Sequence, residues 1–252
     1  MSMFIRCLVV CTALVSSFAC RADEAELVLN VHDIEVEVPG DLKSAAAAAG
    51  VDLGGVVRAA IERIQPRLQP GRPTIRFQIG KQVIPQIGLV GFTDPRSGDV
   101  FVTVDPDSRI GLRDTLSEWV GPSLAHELHH TKRILQGPGY GSTLRESLVS
   151  EGLADSFAKE AYPEADAVWT HAITAEQEMN AWSIAAADLD GRYGRDDHAR
   201  WFFGTDDLPN WTGYTIGFRI VQKYVNGHPG ISTVDLAVVD AERIVRDSGY
   251  PG

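Results

Sequence analysis

Residues 115–155 read TLSEWVGPSLAHELHHTKRILQGPGYGSTLRESLVSEGLAD, which we interpret as two helices joined by a tight glycine-rich turn. Apolar residues recur every three or four positions on both sides of the turn, a spacing typical of amphipathic helices. Each pattern begins with Thr followed three residues later by Glu, as Thr115–Glu118 and Thr143–Glu146, and such pairs form capping boxes at helix N-termini. The sequence therefore predicts antiparallel helices over about 115–136 and 143–160.

The first helix carries His126, Glu127 and His130 in the pattern H-E-x-x-H. Residues four apart lie on the same face of a helix, so both imidazoles can point at one metal ion. Glu127 then lies beside the open coordination position. We predict that His126 and His130 are zinc ligands and that Glu127 is a general base. His129 is interpreted as a residue behind the ligands or at the surface.

Pro122 conflicts with an uninterrupted helix before this motif, because it cannot donate the backbone hydrogen bond to Glu118. The helix is expected either to kink at Pro122 or to begin again with Pro122 in its first turn. In both cases the motif itself lies on a helix.

The second helix offers a third ligand, which a catalytic zinc site usually needs because the fourth position is left open. Glu151 follows His130 after twenty residues, and antiparallel packing brings it opposite the histidine pair. Asp155 lies one turn further along the same face. It is placed to accept a hydrogen bond from a ligand imidazole and so to fix the tautomer of that ring.

The rest of the chain predicts strands before this region and helices after it. Residues 24–40 alternate polar and apolar side chains and predict a β-hairpin, and Asp52 begins a helix that ends at Pro70-Gly71. The alanine run Ala45–Ala49 is interpreted as a loop or a helix start. Further strands are predicted at 74–79, 89–92 and 100–104, and further helices at 173–189, 214–226 and 232–247. This order predicts an α+β fold, with the last two strands forming a hairpin.

The first 22 residues have the pattern of a signal peptide, with one basic residue before a short apolar segment and then small residues. Cleavage is expected after Ala19 or Ala22; alternatively, Cys20 is the lipid-modified first residue of a lipoprotein. Because Cys7 and Cys11 lie in the segment that is removed, no intramolecular disulfide is expected. We predict an exported protein, periplasmic or secreted, whose metal ligands are imidazoles and carboxylates.

The remaining residues 23–252 are expected to form one domain, with a strand-rich lobe at 23–110 and a helical lobe at 111–252. The whole chain carries a net charge of −11, and a chain without Arg6 and Arg21 carries −13. Nucleic acid and anionic lipid surfaces are therefore poor candidate partners. We find no segment with the apolar length of a membrane span.

The chain resembles the glutamate-zincins, the thermolysin-like peptidases in which H-E-x-x-H precedes a helix bearing E-x-x-x-D. It is more closely similar to a bacterial family described as predicted zinc-dependent proteases. The resemblance lies in four stretches: AHELHH at 125–130, SEGLADSFA at 150–158, GYTIGFRIVQKYV at 213–225 and DAERIVRDSGY at 240–250. It implies a zincin fold, one zinc ion and activity on peptides or proteins.

In that chemistry a zinc ion lowers the pKa of water, and Glu127 takes the proton and later passes it to the leaving amine. Tyr214, in the family-like GYTIGF segment, is our candidate donor for the developing oxyanion. Tyr140 is the second candidate, followed by His198 and His228. The strand Val100–Val104 is expected to offer an exposed edge that could pair with an extended peptide or be covered by a loop.

Two other functions fit the same residues. The site could be a non-catalytic zinc module, or the substrate could be an amide bond of a cell-wall peptide. A structural zinc site normally has four protein ligands, whereas this chain offers three.

Four of the tryptophans are interpreted as core residues rather than as carbohydrate-stacking groups. They are Trp119, Trp182, Trp201 and Trp211.

Overall fold

Five strands form one mixed sheet in the computed structural model, which describes residues 25–191 and 193–251. The strands are β1 (Ala25–Val31), β2 (Ile34–Pro39), β3 (Thr74–Ile79), β4 (Leu89–Thr93) and β5 (Val100–Val104). Their order in the sheet is β1-β2-β3-β5-β4. β3 lies parallel to β2 and to β5, whereas β1 and β4 are antiparallel to their neighbours. Helices make up most of the chain after β5, which confirms the α+β prediction.

Both predicted hairpins are present. β1 and β2 are joined by His32 and Asp33, whose φ angles of 53° and 64° match the two-residue turn that follows the twist of antiparallel strands. β4 and β5 pair from Leu89↔Val104 to Thr93↔Val100. The prediction that Val100–Val104 is a sheet edge is wrong, because β3 and β4 bind its two sides. The two edge strands are β1 and β4, because the β4–β5 hairpin joins the sheet through β5.

The helices are α1 (Gly40–Ala48), α2 (Leu53–Leu68), α3 (Leu112–Asp114), α4 (Val120–Gln136), α5 (Leu144–Ala161), α6 (Ala175–Ala186), α7 (Arg195–Phe203), α8 (Thr212–Gly227), α9 (Thr233–Leu236) and α10 (Ala241–Ser248). Asp52 caps α2 by accepting a hydrogen bond from the Gly55 N–H. α1 covers most of the alanine run, α7 was not predicted, and the helix predicted at 232–247 is divided into α9 and α10.

The chain enters α4 through a π-helical turn at Thr115–Trp119. The capping box predicted at Thr115 is wrong, because its hydroxyl is buried and lies 3.1 Å from the Ser108 hydroxyl. α4 begins at Val120, so Pro122 falls in its first turn, where the missing N–H removes no hydrogen bond of the helix. The capping box at Thr143–Glu146 is present at the start of α5.

Apolar side chains form two clusters. The first lies between the sheet and helices α1, α2 and α4, and the second joins α6, α7, α8 and α10. α5 contributes to both, with Phe157 in the first and Leu148 and Leu153 in the second. This helix therefore holds the two clusters in contact.

α5 and α8 pack backbone to backbone at two glycines. A Cβ atom added to Gly152 would lie 2.1 Å from the Gly217 carbonyl oxygen, and one added to Gly217 would lie 2.1 Å from the Leu148 carbonyl oxygen. Distances this short leave no room for a methyl group, so only glycine fits at either position. The crossing lies next in sequence to Glu151, which directly precedes Gly152.

The break between α9 and α10 is held by Arg133 of α4, which is 1% exposed. Its Nη1 donates to the carbonyl oxygens of Ala237 at 3.2 Å and Val239 at 3.0 Å. Burial lowers the pKa of the guanidinium to about 10. In a continuous helix these carbonyls would accept backbone hydrogen bonds instead. The break depends on the distant Arg133, so helical spacing within 232–247 did not predict it.

Arg133→Leu is expected to lower the free energy of unfolding by about 3 kcal/mol, because it leaves buried carbonyls without a donor. Urea denaturation of both proteins would measure the loss. The control is Arg58→Leu, at an exposed position of α2, which should change stability by no more than about 0.5 kcal/mol. Equal losses in the two variants would contradict the role given to Arg133.

The predicted signal peptide and Cys20 lie outside the described residues, so export and lipid attachment stay predictions from the sequence. Among the described residues no single helix is both long and apolar enough to cross a membrane. α1 and α2 meet the requirement only when taken together, and they are bent by 100° at their junction.

Candidate metal centre

Two neighbouring helices bring His126, His130 and Glu151 together. The histidines lie one turn apart on α4, with their Nε2 atoms 3.1 Å from each other. Glu151 of α5 places Oε2 3.1 Å from His126 Nε2 and Oε1 3.5 Å from His130 Nε2. The side chains are 15%, 5% and 7% exposed, respectively. Three potential ligand atoms therefore converge in a nearly closed site.

This donor set fits zinc. Bonds of about 2.0–2.1 Å at tetrahedral angles hold ligand atoms roughly 3.3 Å apart, close to the separations seen here. Two imidazoles and one carboxylate are also a ligand set used by catalytic zinc. The described residues contain no cysteine, so a thiolate-bound metal is excluded for this part of the chain. The site can hold a metal ion with three protein ligands.

Each ligand is held by a further side chain. His126 donates from Nδ1 to Asp155 Oδ1 at 2.9 Å, and His130 Nδ1 lies 3.2 Å from the Ser150 hydroxyl. The Tyr140 hydroxyl donates to Glu151 Oε1 at 2.6 Å. Protonation at Nδ1 leaves the Nε2 lone pairs of both rings directed at the shared point, which is the tautomer a metal ligand needs.

The charges of the site favour an ionised carboxylate. Burial acts to raise the pKa of Glu151, but the His130 and His126 rings outweigh it and hold the pKa well below its ordinary value. Burial likewise acts to lower the pKa of His126, and the Asp155 and Glu151 carboxylates raise it well above the usual range. Burial and the Glu151 charge raise the pKa of Tyr140, so its hydroxyl stays protonated and keeps donating.

Glu127 is held against the edge strand β4. Its side chain is in a buried position, and the Thr93 hydroxyl donates to Oε2 at 2.6 Å. A Cβ atom added to Gly91 would lie 2.3 Å from Glu127 Oε1, so the absence of a side chain at this position makes room for the carboxylate. Neither Thr93 nor Gly91 could be predicted from the sequence, because no local pattern connects β4 with α4.

The four candidate oxyanion donors occupy different places. Tyr214, in the first turn of α8, is half-buried and lines the same cleft as His126 and Glu127. Tyr140 gives its hydrogen bond to Glu151 instead. His198 stacks on Phe202 with ring centroids 4.5 Å apart. His228 stacks on Tyr224 at the opposite end of α8, about 20 Å from Tyr214 at the helical rise.

His129 is fully buried, so the alternative of a surface position is wrong. Its Nε2 donates to the Thr233 carbonyl at 3.3 Å, and its ring packs against Phe157. Burial lowers the pKa of the ring well below its ordinary value, which keeps the imidazole neutral. Three residues along a helix turn a side chain by about 300°, so His129 lies beside the ligand face but joins the contact between α4 and α9.

A cleft of about 400 Å³ opens beside the ligands, bordered by β4, by the connection after α5 and by the start of α8. Trp119, Trp169 and Trp211 line it, and all three are half-buried. The prediction of core packing holds for Trp201, which is 3% exposed, and Trp119 and Trp182 pack partly buried against the two apolar clusters. It is wrong for Trp211, which belongs to neither cluster and lines the cleft. Trp169 was missed, although its Nε1 donates to Asp155 Oδ1 at 3.0 Å.

The fold and the site together define an α+β protein with a potential His/His/Glu metal centre beside a cleft. The chain belongs to the family described as "Predicted Zn-dependent protease (DUF2268)", whose model matches residues 79–246. The matched segment covers about two thirds of the chain and includes β4, α4 and α5. No curated protein matches the chain.

Proposed function

We propose that this protein is a zinc-dependent peptidase in which His126, His130 and Glu151 hold one zinc ion and Glu127 is the general base. The observation that carries the proposal is the convergence of these three ligand atoms with a carboxylate and an open cleft beside them. A site built only for structure normally uses four protein ligands, which leaves no position for substrate. The family description supports the same activity.

When bound, zinc supplies a Lewis acid that lowers the pKa of water and polarises a carbonyl group. Glu127 takes the proton of the attacking water and passes it to the amine that leaves. Thr93 fixes the position of that carboxylate, and Asp155 fixes the His126 ring. Tyr214 is the proposed donor to the developing oxyanion, supported by its place in the cleft.

An extended substrate can be held by β4, the edge strand of the sheet that borders the cleft. The strand residues Leu89, Val90 and Gly91 border the cleft, and Thr93, two residues further along the strand, donates to Glu127. Main-chain hydrogen bonds to an edge strand bind peptides without regard to sequence. The strand proposed to pair with an extended peptide is therefore β4 rather than β5, because β4 is an edge strand and borders the cleft beside the candidate metal centre.

We further propose that the protein is an exported glutamate-zincin. The order of H-E-x-x-H on α4 and E-x-x-x-D on α5 supports a place among the glutamate-zincins with a zincin-like fold in one domain. The apolar segment within residues 1–22 supports export, either as a free protein or anchored at Cys20.

Removal of the metal tests the proposal. Purified protein is expected to contain one zinc ion per chain by elemental analysis. Chelation should reduce the hydrolysis of a mixed peptide library by at least about a hundredfold, and added zinc should restore it.

Chelation that leaves hydrolysis unchanged would contradict the metal-dependent mechanism. Zinc-loaded protein that cleaves no peptide would instead support the non-catalytic module. Activity confined to the amide bonds of cell-wall peptides would support the amidase.

A further inference from the structure

The three tryptophans of the cleft form a continuous aromatic wall. The ring centroids of Trp119 and Trp169 lie 6.0 Å apart, and those of Trp169 and Trp211 lie 6.5 Å apart. Tilted and edge-to-face contacts of this kind hold aromatic rings in fixed orientations. The wall begins beside the metal centre, because Trp169 and His126 share Asp155 Oδ1 as acceptor.

Two cationic side chains and one indole N–H beside the wall are already engaged with the protein. Lys159 Nζ donates to the carbonyls of Pro163 and Ala165, and the Arg219 guanidinium pairs with Glu178. The Trp169 N–H is bound to Asp155. The wall itself therefore offers ring faces to a ligand, and the exposed side chains of Asp166 and His171 also line the cleft, 3.6 Å from each other.

Trp119 and Trp169 pack against the first apolar cluster, and two features distinguish the cleft side of the wall from core packing. Trp211 has a φ of 66°, a left-handed conformation that a bulky residue adopts only when its surroundings hold it there, and such residues concentrate at ligand sites. Phe203, at the rim of the cleft, is 49% exposed. Partly exposed aromatic rings grouped in one cleft are typical of a binding groove.

We propose that the tryptophan wall is a binding site for one bulky apolar side chain of the substrate, close to the bond that is cleaved. The same cleft is lined by His126 and Glu127, so a peptide lying along β4 would place that side chain against the tryptophan wall. Aromatic residues and leucine fit the cleft because its wall is made of tryptophan rings, against which a large apolar side chain can be buried. The placement of this side chain next to the cleaved bond rests on the proposed function, whereas the binding of an apolar group to the wall does not.

Tryptophan indole signals in an NMR titration test binding without any activity. The chain has five tryptophans, so five indole N–H signals are expected, assigned by single Trp→Phe variants. N-acetylphenylalanine amide, added to the full chain without metal, should shift the signals of Trp119, Trp169 and Trp211. The signals of Trp182 and Trp201 should not move, because Trp182 packs on Tyr250 and Trp201 is buried.

The probes N-acetylalanine amide, N-acetyllysine amide and N-acetylglucosamine complete the test, and they are expected to leave all five signals in place. An absence of shifts with the phenylalanine probe would overturn the proposal. Equal shifts with the lysine or sugar probe would also overturn it, since the cleft would then select a cation or a carbohydrate.

Kinetics on the zinc-loaded protein give the second test. Two peptides that differ only by Phe or Ala next to the cleaved bond should differ in kcat/KM by at least about tenfold, the effect of burying one large apolar side chain. Trp119→Ala should reduce this Phe-to-Ala ratio at least about fivefold. Trp182→Ala, away from the cleft, should leave the ratio unchanged.

A ratio near one in the unmutated protein would overturn the proposal while leaving the peptidase intact. A protein that cleaves neither peptide would contradict the peptidase proposal, and the NMR titration would still decide whether the cleft binds an apolar side chain.

Discussion

Glu127→Gln is expected to lower kcat for peptide hydrolysis by about a thousandfold while the protein keeps its zinc ion. Glutamine has nearly the same shape as glutamate and can accept the Thr93 hydrogen bond, but it cannot take a proton from water. Zinc binding should survive because the side chain is not among the three converging ligands. Steady-state kinetics and elemental analysis on the same preparation would measure both effects.

The matched control is Glu118→Gln, the same substitution at an exposed position nine residues earlier. It should retain full activity and full zinc content. A Glu127→Gln protein that cleaves peptides at the unmutated rate would show that another group removes the proton. Loss of zinc from this variant would instead place Glu127 among the ligands and contradict the proposed roles.

Gly217→Ala is expected to lower the free energy of unfolding by about 3 kcal/mol, although alanine is the better helix former by roughly 1 kcal/mol. The added Cβ would lie 2.1 Å from the Leu148 carbonyl oxygen, so α5 and α8 must move apart. Separation of these helices disturbs the position of Glu151, which precedes the facing Gly152. The variant should therefore also bind zinc more weakly than the unmutated protein.

Gly227→Ala is the control, because it lies at the end of the same helix with open space around its Cβ position. It should be neutral or slightly stabilising. Urea denaturation measures the stability of both variants, and competition with a chelating indicator measures their zinc affinity. Equal stability of the Gly217 and Gly227 variants would show that α5 and α8 do not depend on their close approach.

The cluster of candidate metal ligands could be predicted because its geometry is local. Four residues along a helix bring His126 and His130 to one face, and a short turn and a capping box place Glu151 on the next helix. The structure brings these three side chains together as the spacing indicated. The residues that hold these side chains were harder to predict. Ser150 and Tyr140 lie close to the candidate ligands in sequence, but nothing in the sequence distinguishes them from other serines and tyrosines nearby.

Side chains from distant parts of the chain could not be assigned at all. Thr93 reaches Glu127 because the β4–β5 hairpin joins the sheet through β5, and Trp169 reaches Asp155 because the connection after α5 folds back over the cleft. Single residues at these positions carry no periodic pattern. The prediction of β5 as a sheet edge was wrong, and Trp169 was missed, for the same reason. Both depend on contacts between different helices, strands and loops, which local sequence patterns do not show.

The sequence by itself determined the strands, most of the helices and the residues that can bind a metal ion, because these follow from periodicity and capping over a few residues. Only the tertiary structure decided which strand is the edge, how closely α5 and α8 approach at Gly152 and Gly217, and which aromatic rings face the cleft. Such features depend on how whole elements pack, and packing is settled by the shape and burial of many side chains at once.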